Sequence, residues 1–401
     1  MVGTMDYTGK SRSELIELCK QKGIRGYSGK KKAELVAILT GSAPSLPVIA
    51  GGTGSGPKVC RLNYIGSKFQ LLEWLTTNIL EKTEWDSLAG KRAGDLFAGT
   101  GIVSHHFRGL GAAVVSNDAE LYSSVIAHAF TRSVCKVEVL AGLQAELDDK
   151  KYADKVGFVT THYSPYNGSE RQFFTVDNAR RIDYLRGRLE ELKEGMTEDD
   201  YKFALASLLI SADAVSNVPA VYGCYLKSFK DKANKPLTLT PIHGVVTPPA
   251  SGSATYHSDV LALATEIETD FVYLDPPYNE RQYSKNYFPL NIIAKTPAAL
   301  LTEPALKGKT GIPTDCFISP FCKRGAPVET AFETLFRDLK TTWIFVSYNS
   351  ESIVSKEKML ELMGKYGIAS VIERDYKRFK SFEYNQNVAI KEYLFCLRKT
   401  G

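Results

Sequence analysis

No stretch of this 401-residue chain stays apolar for the roughly 20 residues that a bilayer span requires. The segment from Met1 to Lys10 lacks the charged and apolar blocks of an export signal. Cysteine is sparse and scattered: seven residues, an odd number, with no CxxC and no Cys/His cluster at zinc-ligand spacing. A disulfide-built fold is thereby excluded, and buried or free thiols in a reducing compartment are expected. His105 and His106 are adjacent, but on a helix such neighbours point about 100° apart and cannot readily share one ion. They are read as structural, and no metal is expected. There is also no GxGxxG fingerprint and no Walker lysine, which disfavours a bound phosphate.

What is present begins with an uneven charge. The formal net charge is +5, and residues 1–40 hold eight Lys/Arg against four Asp/Glu, so most of the excess sits in this head. The head reads as two short helices. Ser11 to Gln21 places Leu15, Ile16, Leu18 and Cys19 near one face, and Gly23 stops it. A turn through Gly26 to Gly29 leads into Lys30 to Leu39, opened by Lys30, Lys31 and Lys32. A helix start with backbone N–H groups and three lysines suits a phosphate, although a lysine run is commonly just a solvated face. Residues 41–57 are rich in Gly, Ser and Pro, a flexible linker.

From residue 58 to 401, strand-like and helix-like segments alternate, which predicts an α/β fold with a mainly parallel sheet. Strands are expected at Ala93–Phe97, Ala112–Ser116, Phe271–Leu274, Trp343–Ser347, Ala369–Arg374 and Glu392–Leu397. Helices are expected at Ile102–Leu110 and Ala119–Thr131. Residues 150–258, with helical stretches near 177–194 and 199–215, interrupt the pattern and are the natural place for substrate recognition.

Three motifs carry chemistry. Asp275-Pro276-Pro277-Tyr278 follows the apolar strand FVYL, and α/β folds place their chemistry at the carboxyl ends of parallel strands. An amino group conjugated to a ring is a poor nucleophile. Asp275 and the Pro276 carbonyl can accept its two hydrogens. Pro276 and Pro277 fix the loop, and Tyr278 offers a face on which an extruded base can stack. Asp95-Leu96-Phe97-Ala98-Gly99-Thr100-Gly101 is a strand-to-helix turn whose glycines let backbone pass close to a ligand. One βαβ step later, Asp118 is suited to the two hydroxyls of a ribose. The third motif, Asn63-Tyr64-Ile65-Gly66-Ser67-Lys68, precedes a helix. Lys68 is a candidate for a methionine carboxylate and Tyr64 for covering a cofactor.

In this order the motifs resemble those of adenine-specific DNA methyltransferases of the Dam-like alpha group, within the Rossmann-like superfamily that uses S-adenosylmethionine. NYIGSK looks like the N-terminal cofactor motif, DLFAGTG the glycine loop and DPPY the catalytic motif, and the likeness extends to SPYNGSERQFFT, VSNVPAVYG and FVSYNS. The head, from Lys10 through Leu39, resembles a SAP domain, a small all-α helical hairpin that binds DNA. The resemblance implies a Rossmann-like methyltransferase domain with a partly helical target-recognition insert. It also implies S-adenosylmethionine as cofactor and transfer of its methyl to the exocyclic amino group of adenine in double-stranded DNA.

Tyr64, Lys68, Asp95, Phe97, Gly99, Gly101 and Asp118 are then the cofactor residues. Asp275, Pro276, Pro277 and Tyr278 are the catalytic ones, and Tyr283 and Tyr287 are candidates for closing over the base. Tyr166, Asn167, Arg171 and Gln172 are candidates for reading bases, because Asn, Gln and Arg pair bidentately with purine edges. Lys377, Arg378 and Lys380 are candidates for phosphates, and Asn217, Tyr222 and Lys227 for lining the pocket. A cognate restriction endonuclease is a possible partner. The chain is expected as a monomer or dimer inside the cell, cytoplasmic or DNA-associated (nuclear in a eukaryote). Two alternatives stay open: an RNA or cytosine amino-methyltransferase of the same fold, and a SAP-anchored DNA-binding protein with an inactive site.

Overall fold

The computed structural model describes residues 7, 10–22, 39, 59–60, 62, 64, 66–302, 305–376 and 390–400. The chain divides into two units, Met1–Gly54 and Ser55–Gly401. In the first, a helix spans Arg12–Gln21 and starts with a reciprocal cap: the Glu14 N–H donates to Ser11 Oγ at 3.3 Å, and the Ser11 N–H donates to Glu14 Oε2 at 2.7 Å. Its buried side, Leu15 and Cys19, packs with Tyr7 and Leu39. The expected second helix, with Lys30, Lys31 and Lys32, lies outside the described residues apart from Leu39.

The second unit is built on a seven-stranded sheet. In chain order the strands are β1 (Arg92–Asp95), β2 (Ala113–Asp118), β3 (Ala254–His257), β4 (Glu268–Leu274), β7 (Lys340–Asn349), β8 (Gly367–Tyr376) and β9 (Ile390–Lys399). A separate hairpin pairs β5 (Leu306–Lys307) with β6 (Ile312–Pro313). The sheet order is β3-β2-β1-β4-β7-β9-β8. The pairings from β3 to β7 are parallel, while β9 runs antiparallel to both β7 and β8.

Strand periodicity explains the layers. In β4, Phe271 and Tyr273 point into one apolar cluster and Val272 and Leu274 into another. All four are fully buried, and each such large side chain contributes about 1.5–3 kcal/mol. Helices Leu72–Thr83 and Ile102–Gly109 cover the first face, and helices Ala326–Asp338 and Lys356–Gly364 the second. A third cluster joins helix Leu121–Thr131 to the helices Val137–Asp148, Phe158–Tyr163, Val176–Leu192 and Glu198–Ala214. His105 and His106 are buried within this architecture, and burial pushes their imidazole pKa values down to about 3 and about 4.

One boundary needs correction. Residues 150–258 were expected as a single insert, yet β3 within that range is an edge strand of the main sheet, paired with β2. Its sequence, Ala-Thr-Tyr-His, is four residues long and only partly buried, so it carries no apolar run to announce it.

Candidate active site

The parallel strands end on one side of a cavity of about 950 Å³, open mouth included, and all three motifs line it. β1 delivers Asp95, and the chain then turns through Gly99 (φ 53°) and Gly101 (φ 69°) into helix Ile102–Gly109. Both angles are in the left-handed region, where a side chain is strained. The turn is also crowded. A Cβ on Gly99 would stand 3.2 Å from the Tyr64 ring, and one on Gly101 would stand 2.9 Å from Phe130.

Asp118, at the end of β2, holds this turn: its Oδ2 accepts from the Gly99 N–H at 2.8 Å and its Oδ1 from the Glu120 N–H at 2.9 Å. Tyr64 stacks on Tyr287 at 4.8 Å and tilts against Tyr283 at 5.4 Å, so an aromatic wall faces the glycine turn. Phe97 meets Phe321 edge to face at 5.0 Å and closes the opposite side.

The carboxylates of this region are starved of counter-charge. Burial pushes Asp95 up to about 7, although Ser104 Oγ donates to its Oδ2 at 2.6 Å, and Asp95 Oδ1 has no hydrogen-bond partner. Burial likewise raises Asp118, and it lifts Glu120 to about 7 against the pull of the Asn291 amide, which donates to Glu120 Oε2 at 2.6 Å.

At the end of β4 the arrangement differs. Asp275 lines the cavity with its side chain 19% exposed, and Lys68 Nζ lies 3.2 Å from its Oδ1. The same ammonium donates to Glu392 Oε1 at 2.8 Å, and Ser347 Oγ donates to that oxygen at 3.0 Å. Burial raises Asp275 to about 6, opposed by Lys68 and reinforced by Glu392. Lys68 itself is held well above the ordinary lysine range: its two carboxylates outweigh the burial that alone would lower it. Tyr278 lies over Gly66, where a Cβ would stand 3.1 Å from its hydroxyl, and Lys68 Nζ is 5.8 Å from its ring centre.

A family model for D12 class N6 adenine-specific DNA methyltransferases matches residues 64–361, a span that contains the residues lining this cavity. The chain belongs to that family. The Type II methyltransferase M.CviAII of Paramecium bursaria Chlorella virus 1 is 39% identical over 337 residues, covering 84% of this chain and 98% of that protein. M.NlaIII of Neisseria lactamica is 38% identical over 84% of this chain and 100% of its own length. M.FokI of Planomicrobium okeanokoites is 31% identical over 84% of this chain and 53% of its own. This D12 methyltransferase therefore methylates N6 of adenine in DNA, with S-adenosylmethionine as donor.

The donor fits the residues present. It carries a sulfonium and an ammonium against one carboxylate, and the cavity lining holds Asp95, Asp118, Glu120, Asp259 and Asp275 against a single lysine, Lys68. The unpartnered Asp95 Oδ1 is a buried acceptor awaiting a donor.

The other expected residues are placed as follows. Lys68 lines the cavity, and its ammonium meets Asp275 and Glu392. Arg171 is turned onto the protein: its guanidinium donates to the carbonyls of Lys309, His162 and Gly308 at 3.1, 3.3 and 3.5 Å. Gly311 permits this, since a Cβ there would stand 2.6 Å from the guanidinium carbon. Asn167 is exposed with φ 51°, and Tyr166 and Gln172 are half-buried beside it. Asn217 and Tyr222 are core, bonded to the Gln172 and Leu226 carbonyls and to Asp213, whereas Lys227 is exposed. Lys377, Arg378 and Lys380 lie outside the described residues.

Sequence reasoning missed Glu120, Glu392 and the stretch Ser319–Phe321. Glu120 stood two residues from Asp118 and could have been read with it. The 319–321 stretch reaches the cavity through Gln282, whose side-chain oxygen accepts from the Ser319 N–H at 2.9 Å.

Proposed function

We propose that this methyltransferase acts on an adenine rotated out of duplex DNA, and that Asp275 is the group that makes its amino nitrogen reactive. The observation that carries this reading is the position of Asp275: a half-buried carboxylate at the end of β4, lining the same cavity as Asp118 and Gly99, with Lys68 Nζ 3.2 Å from its Oδ1. Oδ2 and the Pro276 carbonyl accept the two amino hydrogens, which turns the nitrogen lone pair out of conjugation and toward the cofactor region. S-adenosylmethionine, when bound, supplies an electrophilic methyl carbon whose sulfur leaves as a neutral thioether. Asp275, with a pKa of about 6, is an acceptor for the proton that the methylated nitrogen sheds. Tyr278 stacks on the base and offsets part of an unstacking cost of a few kcal/mol, while Tyr283 closes over it and Tyr287 backs Tyr64.

Asp95, Asp118 and Glu120 hold the cationic and ribose parts of the cofactor. Tyr64 and Phe97 form the covers of that region, and Gly99 and Gly101 let the backbone approach. Recognition of the DNA sequence falls to Tyr166, Asn167 and Gln172, with Arg171 fixing the neighbouring hairpin β5–β6 on which Lys307 and Lys309 are exposed. Lys377, Arg378 and Lys380 contribute phosphate contacts. The first unit acts as a SAP-like tether through Lys30, Lys31 and Lys32, raising the local concentration of DNA. A restriction endonuclease reading the same sequence is the matching partner.

The test is incubation with labelled S-adenosylmethionine and mixed-sequence duplex, digestion to nucleosides, and the same with Asp275→Ala. Label in N6-methyladenine, lost in the variant, supports the reading. Label that persists in the variant overturns the role of Asp275.

A further inference from the structure

β9 continues the sheet's alternation. Leu394 and Cys396 point into the apolar cluster beneath helices Leu72–Thr83 and Ile102–Gly109, and Tyr393, Phe395 and Leu397 point into the opposite one. Glu392 falls on the first of these faces by period, at a position where an apolar residue would serve packing. Instead a carboxylate with 5% side-chain exposure sits there. Burying an unpaired carboxylate costs several kcal/mol, and the partners that compensate are Lys68 at 2.8 Å and Ser347 at 3.0 Å. The family match ends at residue 361, so this acid comes from outside the matched segment and still reaches the catalytic wall.

We propose that Glu392 is a positioning residue for methyl transfer: by drawing the Lys68 ammonium toward β9, it keeps Asp275 from being locked into a full ion pair and leaves it able to accept from the adenine amino group. The distances give the direction, since Lys68 stands nearer Glu392 (2.8 Å) than Asp275 (3.2 Å). The inference rests on Asp275 being the acceptor.

Asp275 is faced by Lys68 from the segment before helix Leu72–Thr83, Glu392 from β9, Asp95 from β1, Tyr273 from β4 itself and Tyr283 from the short helix Tyr283–Asn286 that follows. Of these, Lys68 is the cation, and Glu392 is the group that divides its charge. Neutralising Glu392 leaves Lys68 wholly to Asp275. The carboxyl then ionises more readily and is held more tightly.

The experiment measures kcat against pH for labelled methyl transfer in the full chain, with wild type, Glu392→Gln, Glu392→Asp and Asp275→Asn, and S-adenosylmethionine affinity for each. Glu392→Gln keeps shape and hydrogen bonding but removes charge. Its acid limb should move down from near pH 6 by about one unit. Its plateau kcat should fall about 10- to 100-fold, with cofactor affinity and the KM for DNA changed less than about threefold. Glu392→Asp, which keeps the charge, should hold its acid limb near the wild-type position.

A Glu392→Gln profile superimposable on wild type overturns the proposal. So does a lower rate with an unmoved acid limb, since that is a packing defect. If Glu392→Gln loses cofactor binding through misfolding, Glu392→Asp decides: an acid limb shifted as far as one unit with charge retained overturns it. Asp275→Asn separates the two readings. An active Asp275→Asn sinks both, whereas an inactive one beside an unaltered Glu392→Gln sinks only the role of Glu392.

Discussion

The two walls of the cavity use the same functional group in opposite settings. On the wall made by the ends of β1 and β2, Asp95 and Glu120 are buried and Asp118 half-buried, with no basic side chain among the hydrogen-bond partners described, and desolvation raises all three. On the wall made by the end of β4, Asp275 has a lysine 3.2 Å away, itself shared with Glu392. A carboxylate cluster without a counter-ion is unfavourable until a cation arrives from outside, so the first wall is built to bind. A carboxylate with its own partner is already oriented, so the second wall is built to act on a group brought to it.

The most severe way to break this contrast is Asp275→Ala. Methyl transfer should fall at least about 10²- to 10³-fold, the scale for removing one preorganised hydrogen-bonding group in an active site, while cofactor affinity moves far less. Labelled transfer and cofactor titration on the same preparation check both halves. Next is Asp118→Ala. Losing the acceptor of the Gly99 and Glu120 N–H groups leaves two donors unpaired at about 1–3 kcal/mol each. Cofactor affinity should drop about 10- to 100-fold, with the acid limb of kcat unmoved at saturation.

The pH dependence sharpens the comparison further. Asp95 and Glu120 titrate at about 7 and are raised above their ordinary values, so their charge grows between pH 6 and 8. S-adenosylmethionine, with its sulfonium, should bind several-fold tighter at pH 8 than at pH 6. The demethylated product, which lacks that charge, should gain less, and isothermal titration of the two compares them directly. The sign for the empty fold is opposite. The unfolded acids ionise first, so stability falls as pH rises through the window from about 4 to 7, and saturating cofactor should restore it.

Smaller again is Gly101→Ala, where φ 69° and the 2.9 Å approach to Phe130 predict a loss of about 1–3 kcal/mol, read as a lower thermal midpoint. The smallest effect belongs to neither wall. Arg171→Ala should loosen the β5–β6 hairpin and weaken DNA affinity only a few-fold, with cofactor affinity unchanged.

Much of this was legible in the sequence where a signal is local. FVYL followed by Asp-Pro-Pro-Tyr is a buried strand with a rigid loop after it, and both glycines of DLFAGTG are required by positive φ. The alternation of strands and helices gave the layers because periodicity is a property of neighbours in the chain. What escaped depended on partners far apart. Glu392 looked like one charge in an apolar strand, and its meaning appears only when β9 slots antiparallel between β7 and β8. Arg171 was a candidate base reader by residue type, and its contacts to the Lys309 and Gly308 carbonyls depend on a segment far along the chain. β3 was too short and too exposed to be seen.

The place of β9 in the sheet also sets a schedule. Lys68 and Glu392 are separated by 324 residues. Translation at about 5–20 residues per second puts roughly 15–65 s between their syntheses. Contacts of such sequence separation are also among the slowest to form during folding. The cofactor wall also waits for later residues, because Asn291 donates to Glu120, Tyr287 stacks on Tyr64 and Phe321 packs on Phe97, but the catalytic wall receives its last partner, Glu392, later still. The hydrogen bond between Lys68 and Glu392 therefore closes only once β9 has docked.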